Sequence, residues 1–302
     1  MPVTIDQVVR EIHDWQGRMV EIEPLAGGLT NTNYRLSVEG QPCIVRIPGA
    51  STELLAVDRP NEIYNSKAAA ETGVAPKVLY ELPLYDVMVL EFIDGATMSI
   101  MSLQALGMPE RIARSLRLLH AGRRFLKDFD MFRLVEFYLE IVDRHQVRIP
   151  SDYRDFLPVV ARIEAAVRIH ALPTVPCNND LLAENYIDDG QLLRLIDFEY
   201  SGNNDPCFEL GNTCQELQYS DDQYAELCAA YFGQADMVQL ARMRLFALMS
   251  DIGWTLWGAI QNKISKLEYD FWDYATTRWK RALVVLTSGR LETWLMEAQR
   301  RD

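Results

Sequence analysis

From Asn33 the chain reads Asn-Tyr-Arg-Leu-Ser-Val-Glu-Gly-Gln-Pro, and its apolar positions alternate. Tyr34, Leu36 and Val38 fall on one face, and Arg35, Ser37 and Glu39 on the other, the period of a half-buried strand. Glu39-Gly40-Gln41 predicts a turn, and Cys43 to Ile47 a returning strand. Asp58 to Glu71 switches to helical spacing, with Pro60 in the first turn, where its missing N–H costs nothing, and Gly73 as the stop. Asp86 to Ile93 predicts a further strand, broken by Asp94-Gly95. Beyond Gly95 helical periodicity dominates, as in Arg111 to His120 and Met243 to Lys266, with only short strands expected around Asn185–Ile187 and Leu192–Ile196. The expectation is an α+β, bilobal chain. Residues 1–93 form a small antiparallel β-rich lobe and residues 94–302 a large, mostly α-helical one, with a hinge near Glu91–Gly95 and a cleft between.

One stretch of this pattern carries chemistry. In Cys177-Asn-Asn-Asp-Leu-Leu-Ala-Glu-Asn-Tyr-Ile, Asp180 and Asn185 stand five apart in a loop-like run, and Asp197 follows the apolar string Leu192, Leu193, Leu195, Ile196. Phosphoryl transfer needs positioning and charge neutralisation more than covalent help, and this set suits it. Asp180 can accept the proton of an attacking hydroxyl. The Asn185 amide oxygen and the Asp197 carboxylate are hard ligands fit for Mg²⁺. The same residue types also serve as turn and capping groups, and the spacing alone leaves that reading open.

The N-terminal half adds a second element. Ala26-Gly-Gly-Leu-Thr-Asn-Thr-Asn33 precedes the alternating strand. Gly27 and Gly28 let backbone amides approach phosphate oxygens, and Thr30, Asn31 and Asn33 add side-chain donors. Arg46, on the next strand, would meet phosphate or the helical carboxylate Glu62; taken alone, a surface ion pair is the better reading of it.

Composition narrows the partners. Thirty basic against 43 acidic residues give a net charge of −13, which argues against nucleic acid or an anionic membrane. The N-terminus has early acids and no uninterrupted apolar core, so no secretory signal is read there, and Phe246 to Ile260, carrying Asp251, reads as a buried helix. Five cysteines without metal-site spacing read as free thiols of a cytoplasmic protein.

The segments GGLTNTNYRL, IVRIPG, Arg59-Pro-Asn-Glu62, VLEFIDG, NNDLLAEN, IDFEY and ELGN together resemble the choline/ethanolamine kinase branch of the aminoglycoside phosphotransferase-like, protein-kinase-like superfamily. The resemblance covers nearly the whole chain. It implies a protein-kinase-like fold with ATP and Mg²⁺ as cofactors, and Arg46 standing where protein kinases keep a strand lysine, held by Glu62. It implies that the backbone around Glu91, Phe92 and Ile93 takes the adenine, that Asp180 is the catalytic base, and that Asn185 and Asp197 hold the metal with support from Glu199. One departure stands out: the family's catalytic loop usually opens on His, and this chain has Asn178.

The acceptor side follows from the same resemblance. Trp254 and Trp257, three apart, share one helical face, and Tyr274 follows in an aromatic-rich turn. Periodicity alone makes such rings core. Choline kinases, however, use the matching residues as walls of a quaternary-ammonium cage, with Tyr200 and Glu216 nearby and Glu216 giving longer-range charge balance. A methylated ammonium donates no hydrogen bond, so ring faces suit it, each contributing about 0.5–2 kcal/mol.

The remaining polar residues carry less. His13, His120, His145 and His170 show no ligand spacing, and His120 reads as a helix-end cation. Asp188-Asp189 reads as a solvated hairpin tip, and Asp205 and Glu209 as loop-stabilising acids. The expected function is an ATP-dependent kinase of choline or a related amino alcohol, with a homodimer left open. The alternatives are kinase action on ethanolamine, an amino sugar or thiamine, and a weakly active nucleotide- or quaternary-amine-binding protein, to which Asn178 points. An amino sugar would call for several carboxylates where this chain has tryptophans.

Overall fold

The computed structural model describes residues 3–25, 28–49 and 52–300. A short helix α1 (Ile5–Glu11), capped by Thr4, leads into strands β1 (Val20–Leu25), β2 (Asn31–Val38) and β3 (Gln41–Pro48). Helix α2 (Arg59–Glu71) follows, with Asp58 accepting from the Asn61 N–H as N-cap, and β4 (Val78–Leu82) and β5 (Val87–Glu91) complete an antiparallel sheet of order β1-β2-β3-β5-β4. The β2–β3 turn lies where the alternation broke: Val38 pairs Gln41, and Glu39 and Gly40 take φ of 50° and 80°, the left-handed pair that a tight hairpin needs.

Leu36 and Val38 bury the face that the alternation assigned them. They pack with Val45, Ile47, Val87 and Val89 against Val8, Ile12 and Trp15 of the N-terminal segment. Those last elements were not expected from the pattern, and neither was β4, which is interrupted by a register shift at Val78/Tyr80.

The chain leaves the sheet at Glu91, and β6 (Ala96–Thr97) already pairs into a different one. Helices α3 (Ile100–Leu103), α4 (Met108–His120), α5 (Met131–His145) and α6 (Leu157–Ile169) begin the helical body. Four short strands are set into it: β7 (Val175–Cys177), β8 (Tyr186–Asp188), β9 (Leu193–Leu195) and β10 (Gly202–Asn204). The chain closes with α7 (Pro206–Glu216), α8 (Asp221–Phe232), α9 (Met237–Ile264), α10 (Phe271–Leu286) and α11 (Arg290–Ala298). The mixed composition, with one antiparallel sheet and a mostly helical remainder, is the expected α+β, protein-kinase-like fold.

Helix α9 is the axis of the body. It starts a turn and a half before the expected Met243, because Asp236 caps it, and from Leu245 to Gln261 every residue is buried. A helix apolar on all sides must be surrounded, and α5, α7, α10 and α11 pack around it. Gly258 makes one of those contacts: a Cβ there would lie 2.7 Å from the Tyr274 ring, so its absence seats α10 against α9. Among the described residues no helix is long and apolar enough to cross a membrane.

Candidate active site

The catalytic-loop candidates sit between two strands. After β7, Asn178 to Leu182 form a loop, Ala183–Asn185 make one 3₁₀ turn, and the β8–β9 hairpin carries the chain round to Asp197. The Asn185 carbonyl accepts from the Ile196 N–H at 3.0 Å, which brings the second half of this motif beside the first. Asn179 and Asp197 both have positive φ, 69° and 61°. Non-glycine residues there cost free energy unless the surroundings hold them, and such strain concentrates at functional sites.

Those surroundings are specific. Asn178 is fully buried; its amide donates to the Ile196 and Asp197 carbonyls at 3.1 and 2.8 Å and accepts from the Asp180 N–H at 3.1 Å. The residue that departs from the family therefore ties the Asp180 loop to Asp197. Beneath it, Glu209 accepts from the N–H groups of Asn178 and Asn179 at 2.5 and 3.0 Å. Asp205 caps α7 through the Cys207 N–H and pairs with buried Arg242. Both acids stabilise loops, as expected.

His120 closes α4 as expected, but it is not a solvent-facing helix-end group. It is buried, with Nε2 bonded to Glu209 at 2.5 Å and Nδ1 to the Tyr231 hydroxyl at 2.6 Å, because its side chain turns inward under the catalytic loop. The Asp188-Asp189 tip is a partly solvated hairpin turn, as expected, and Arg111 also grips Asp188 there with two 2.7 Å hydrogen bonds.

Asp180 is half-buried, and among the described residues no donor reaches its carboxylate. Burial, then the charges of Asp197 and Glu216, push its pKa well above the carboxylate range, with Arg278 opposing. Its carbonyl accepts from the Asn185 amide at 2.8 Å, which orients that side chain and leaves the Asn185 amide oxygen without a protein partner among the described residues. Asp197 gives one oxygen to Arg46 at 2.5 Å.

Arg46 and Glu62 pair as expected, at 3.0 Å, but not at the surface: they are 7% and 1% exposed. Arg46 also reaches Glu199 at 3.3 Å. Arg59 joins the cluster, bonding Glu62 at 2.6 Å and approaching Glu199 at 3.5 Å. Sequence reasoning quoted Arg59 without giving it a role; its three-residue spacing to Glu62 on one helix was the available signal.

The glycine-rich turn behaves partly as expected. Gly28 has φ of 90°, and a Cβ there would lie 2.6 Å from the Asn31 carbonyl, so only glycine fits. Gly27 lies outside the described residues. Thr30 and Asn31, expected to donate to phosphate, instead donate to Glu199 at 2.7 and 2.8 Å. Glu199, expected to support the metal, thus has both oxygens taken by the sheet's residues. It is a buried tie between the sheet and the body, and burial, then Asp197, raises its pKa to about 7.

These groups open onto one cleft of about 650 Å³. Gly28, Thr30, Asn33, Arg46 and residues 91–93 line one side, and Asp180, Asn185, Asp197 and Glu199 another. Tyr200, Trp254, Trp257 and Tyr274 line the same cleft. The rings are braced: the Trp257 indole N–H donates to the Tyr200 hydroxyl at 2.8 Å, Tyr200 meets Trp254 edge-on at 4.9 Å between centroids, and Trp257 meets Tyr274 at 5.3 Å. Glu216 stands behind this wall. Arg278, stacked 4.5 Å over the Tyr274 ring, binds both its oxygens at 2.5 and 2.9 Å.

The arrangement can be set beside known proteins. The model of the choline/ethanolamine kinase family matches residues 22–236. The chain belongs to that family. A solved choline/ethanolamine kinase family protein from Mesorhizobium loti is 33% identical, with 96% of each chain covered and a TM-score of 0.84. Ethanolamine kinase 2 of Rattus norvegicus is 28% identical over 91% of this chain and 79% of its own length. The choline kinase LicA from Streptococcus pneumoniae shares the fold at 24% identity, with a TM-score of 0.80 over 93% of this chain and 98% of that one.

Proposed function

We propose that the protein transfers the γ-phosphoryl group of ATP to the hydroxyl of choline or a related amino alcohol, with residues 1–93 holding the nucleotide and 94–302 the acceptor. Membership of a family of small-molecule kinases supports the nucleotide and the reaction class. One observation carries the assignment: a carboxylate without a protein donor, Asp180, faces a cleft that has the Asn185–Asp197 oxygens and a wall of aromatic rings around it.

The chemistry follows from that placement. The ammonium rests against Trp254, Trp257 and Tyr274, which directs the hydroxyl of a two-carbon alcohol toward Asp180. Asp180 takes the hydroxyl proton as the oxygen bonds the γ-phosphorus, and the bond to the β-phosphate oxygen breaks, releasing ADP. The raised pKa of Asp180 makes it a better proton acceptor than a solvent-exposed carboxylate. Arg46, fixed by Glu62, supplies positive charge beside the phosphates, and the backbone of Glu91, Phe92 and Ile93 lines the adenine end. The free amide oxygen of Asn185 and the second oxygen of Asp197 form a hard donor pair that fits Mg²⁺, which would neutralise phosphate charge when bound.

Asn178 does not favour an inactive binding protein, because its three hydrogen bonds keep the catalytic loop and Asp197 in register. A panel of amino alcohols, amino sugars and thiamine, with ATP and Mg²⁺ and coupled ADP detection, tests the reading. Choline or ethanolamine should give turnover; ADP release confined to amino sugars or thiamine would overturn it.

A further inference from the structure

Two carboxylates lie behind the ring wall, and neither is free. Arg278, one helical turn after Tyr274 on α10, holds both oxygens of Glu216 and covers one face of Tyr274. Asp251 on α9 is bonded by Arg281 and by the Gln215 amide at 2.5 Å, and Arg278 approaches it at 3.5 Å. All of Glu216, Asp251 and Arg278 are at most 8% exposed. The two acids and two arginines cancel, so the charge that would act through Tyr274 on a bound cation is neutralised at its source. Of the two phenol oxygens on the wall, those of Tyr200 and Tyr274, that of Tyr200 already accepts from Trp257.

We propose that Arg278 is a specificity-determining residue: by holding Glu216 it leaves the ammonium end of the cleft with ring faces and, apart from Asp180 at the hydroxyl end, no uncommitted carboxylate among the described residues, which matches a fully methylated ammonium over a primary one. This rests on the functional reading above and sharpens it from amino alcohols in general to the quaternary class. A trimethylammonium group carries no N–H, spreads its charge over methyl groups that pack on indole, and needs no acceptor. A primary ammonium brings three donors. Entering a wall whose rings offer only the phenol oxygens of Tyr200 and Tyr274 as acceptors, it leaves donors unpaired and loses hydration without full replacement.

The experiment is a methylation series. The parent enzyme is assayed with choline, N,N-dimethylethanolamine, N-methylethanolamine and ethanolamine, alongside Arg278→Met and the double variant Glu216→Gln/Arg278→Met. In the parent, kcat/KM should fall with each methyl removed, by roughly tenfold or more over the series. Arg278→Met keeps an apolar stem over Tyr274 and leaves Glu216 only its 3.6 Å contact with Arg281, so the choline-to-ethanolamine ratio should shrink by roughly tenfold, the worth of one charge-assisted hydrogen bond, chiefly through KM for ethanolamine. The double variant removes the uncovered charge and should restore the parent's ratio, an outcome that a merely structural role for Arg278 would not produce.

A parent that prefers ethanolamine, or a ratio identical in parent and Arg278→Met, overturns the proposal. Should Arg278→Met fail to fold because Glu216 is left buried and unpaired, the double variant decides alone: loss of the preference for choline in it overturns the proposal. A parent inert on all four alcohols overturns the functional reading instead. The cage is then judged by indole fluorescence titrated with tetramethylammonium and methylammonium, where equal affinity sinks the selectivity argument and tighter binding of the quaternary ion supports it.

Discussion

The two ends of the cleft are built on opposite principles. At the phosphoryl end Arg46, Arg59, Glu62, Asp197 and Glu199 are wired together across the sheet and the body, and two loop residues are held at positive φ. At the acceptor end rings carried by α9, α10 and the segment after β9 face the cleft, and the charges are turned away behind them. Charges in the first region are largely buried and paired, two arginines among three acids, so removing one partner strands the other. In the second region, cutting back a ring costs contact area and, at Trp257, the hydrogen bond to Tyr200, but strands no charge. The lesson is that damage at the first end should cost chemistry or folding, and damage at the second should cost affinity for one substrate.

The sharpest break in that comparison is Asp180→Ala. It should lower kcat by about 10²–10⁴-fold or more while nucleotide affinity, read by equilibrium binding, stays near the parent's. Unchanged turnover would remove Asp180 as base.

Glu62→Ala probes stability at the same end. It leaves Arg46 and Arg59 without their helical carboxylate, and chemical denaturation should show a loss of about 3–5 kcal/mol. A loss below about 1 kcal/mol would mean that Asp197 and Glu199 carry the arginines alone.

At the acceptor end, Trp257→Ala should raise KM for choline by about tenfold or more and move KM for ATP little. Gly258→Ala should act in the same direction and more weakly, because its methyl pushes the Tyr274 ring aside without removing any ring. Equal changes in both KM values would show that the two ends are not separable.

The smallest effect lies outside the cleft. Arg111 draws the Asp188 pKa below the ordinary carboxylate value, first by hydrogen bonding and then by charge. The folded pKa is the depressed one, so this contribution is complete above about pH 4 and fades as pH falls through the folded value. Arg111→Ala should therefore cost about 1 kcal/mol at neutral pH and flatten the acid limb of a stability profile. Neither end of the cleft should notice it.

What the sequence made legible divides along similar lines. The β2–β3 hairpin, α2 and the long apolar α9 follow from periodicity and from turn and capping residues, which are local. Helix α1 and β4 escaped because seven- and five-residue elements carry too few periods, and β4 is broken by its own register shift. The Arg46–Glu62 pair was readable from residue types, but its burial was not, since nothing in sequence spacing says that residues 46, 62, 197 and 199 converge. Thr30 and Asn31 were given to phosphate because the chemistry of donors is local, while the acid that takes them lies 169 and 168 residues away. Arg278 was invisible for the same reason: its partner lies 62 residues upstream.

All five cysteines are buried, and burial raises the pKa of each thiol. Cys43 sits in the five-stranded sheet, while Cys177, Cys207, Cys214 and Cys228 sit in the body. The native chain should therefore resist alkylating reagents, and any thiol that does react reports a local opening. Mass spectrometry of which position is labelled first, during gentle denaturation, would tell whether the sheet or the helices come apart earlier, without introducing a single foreign probe.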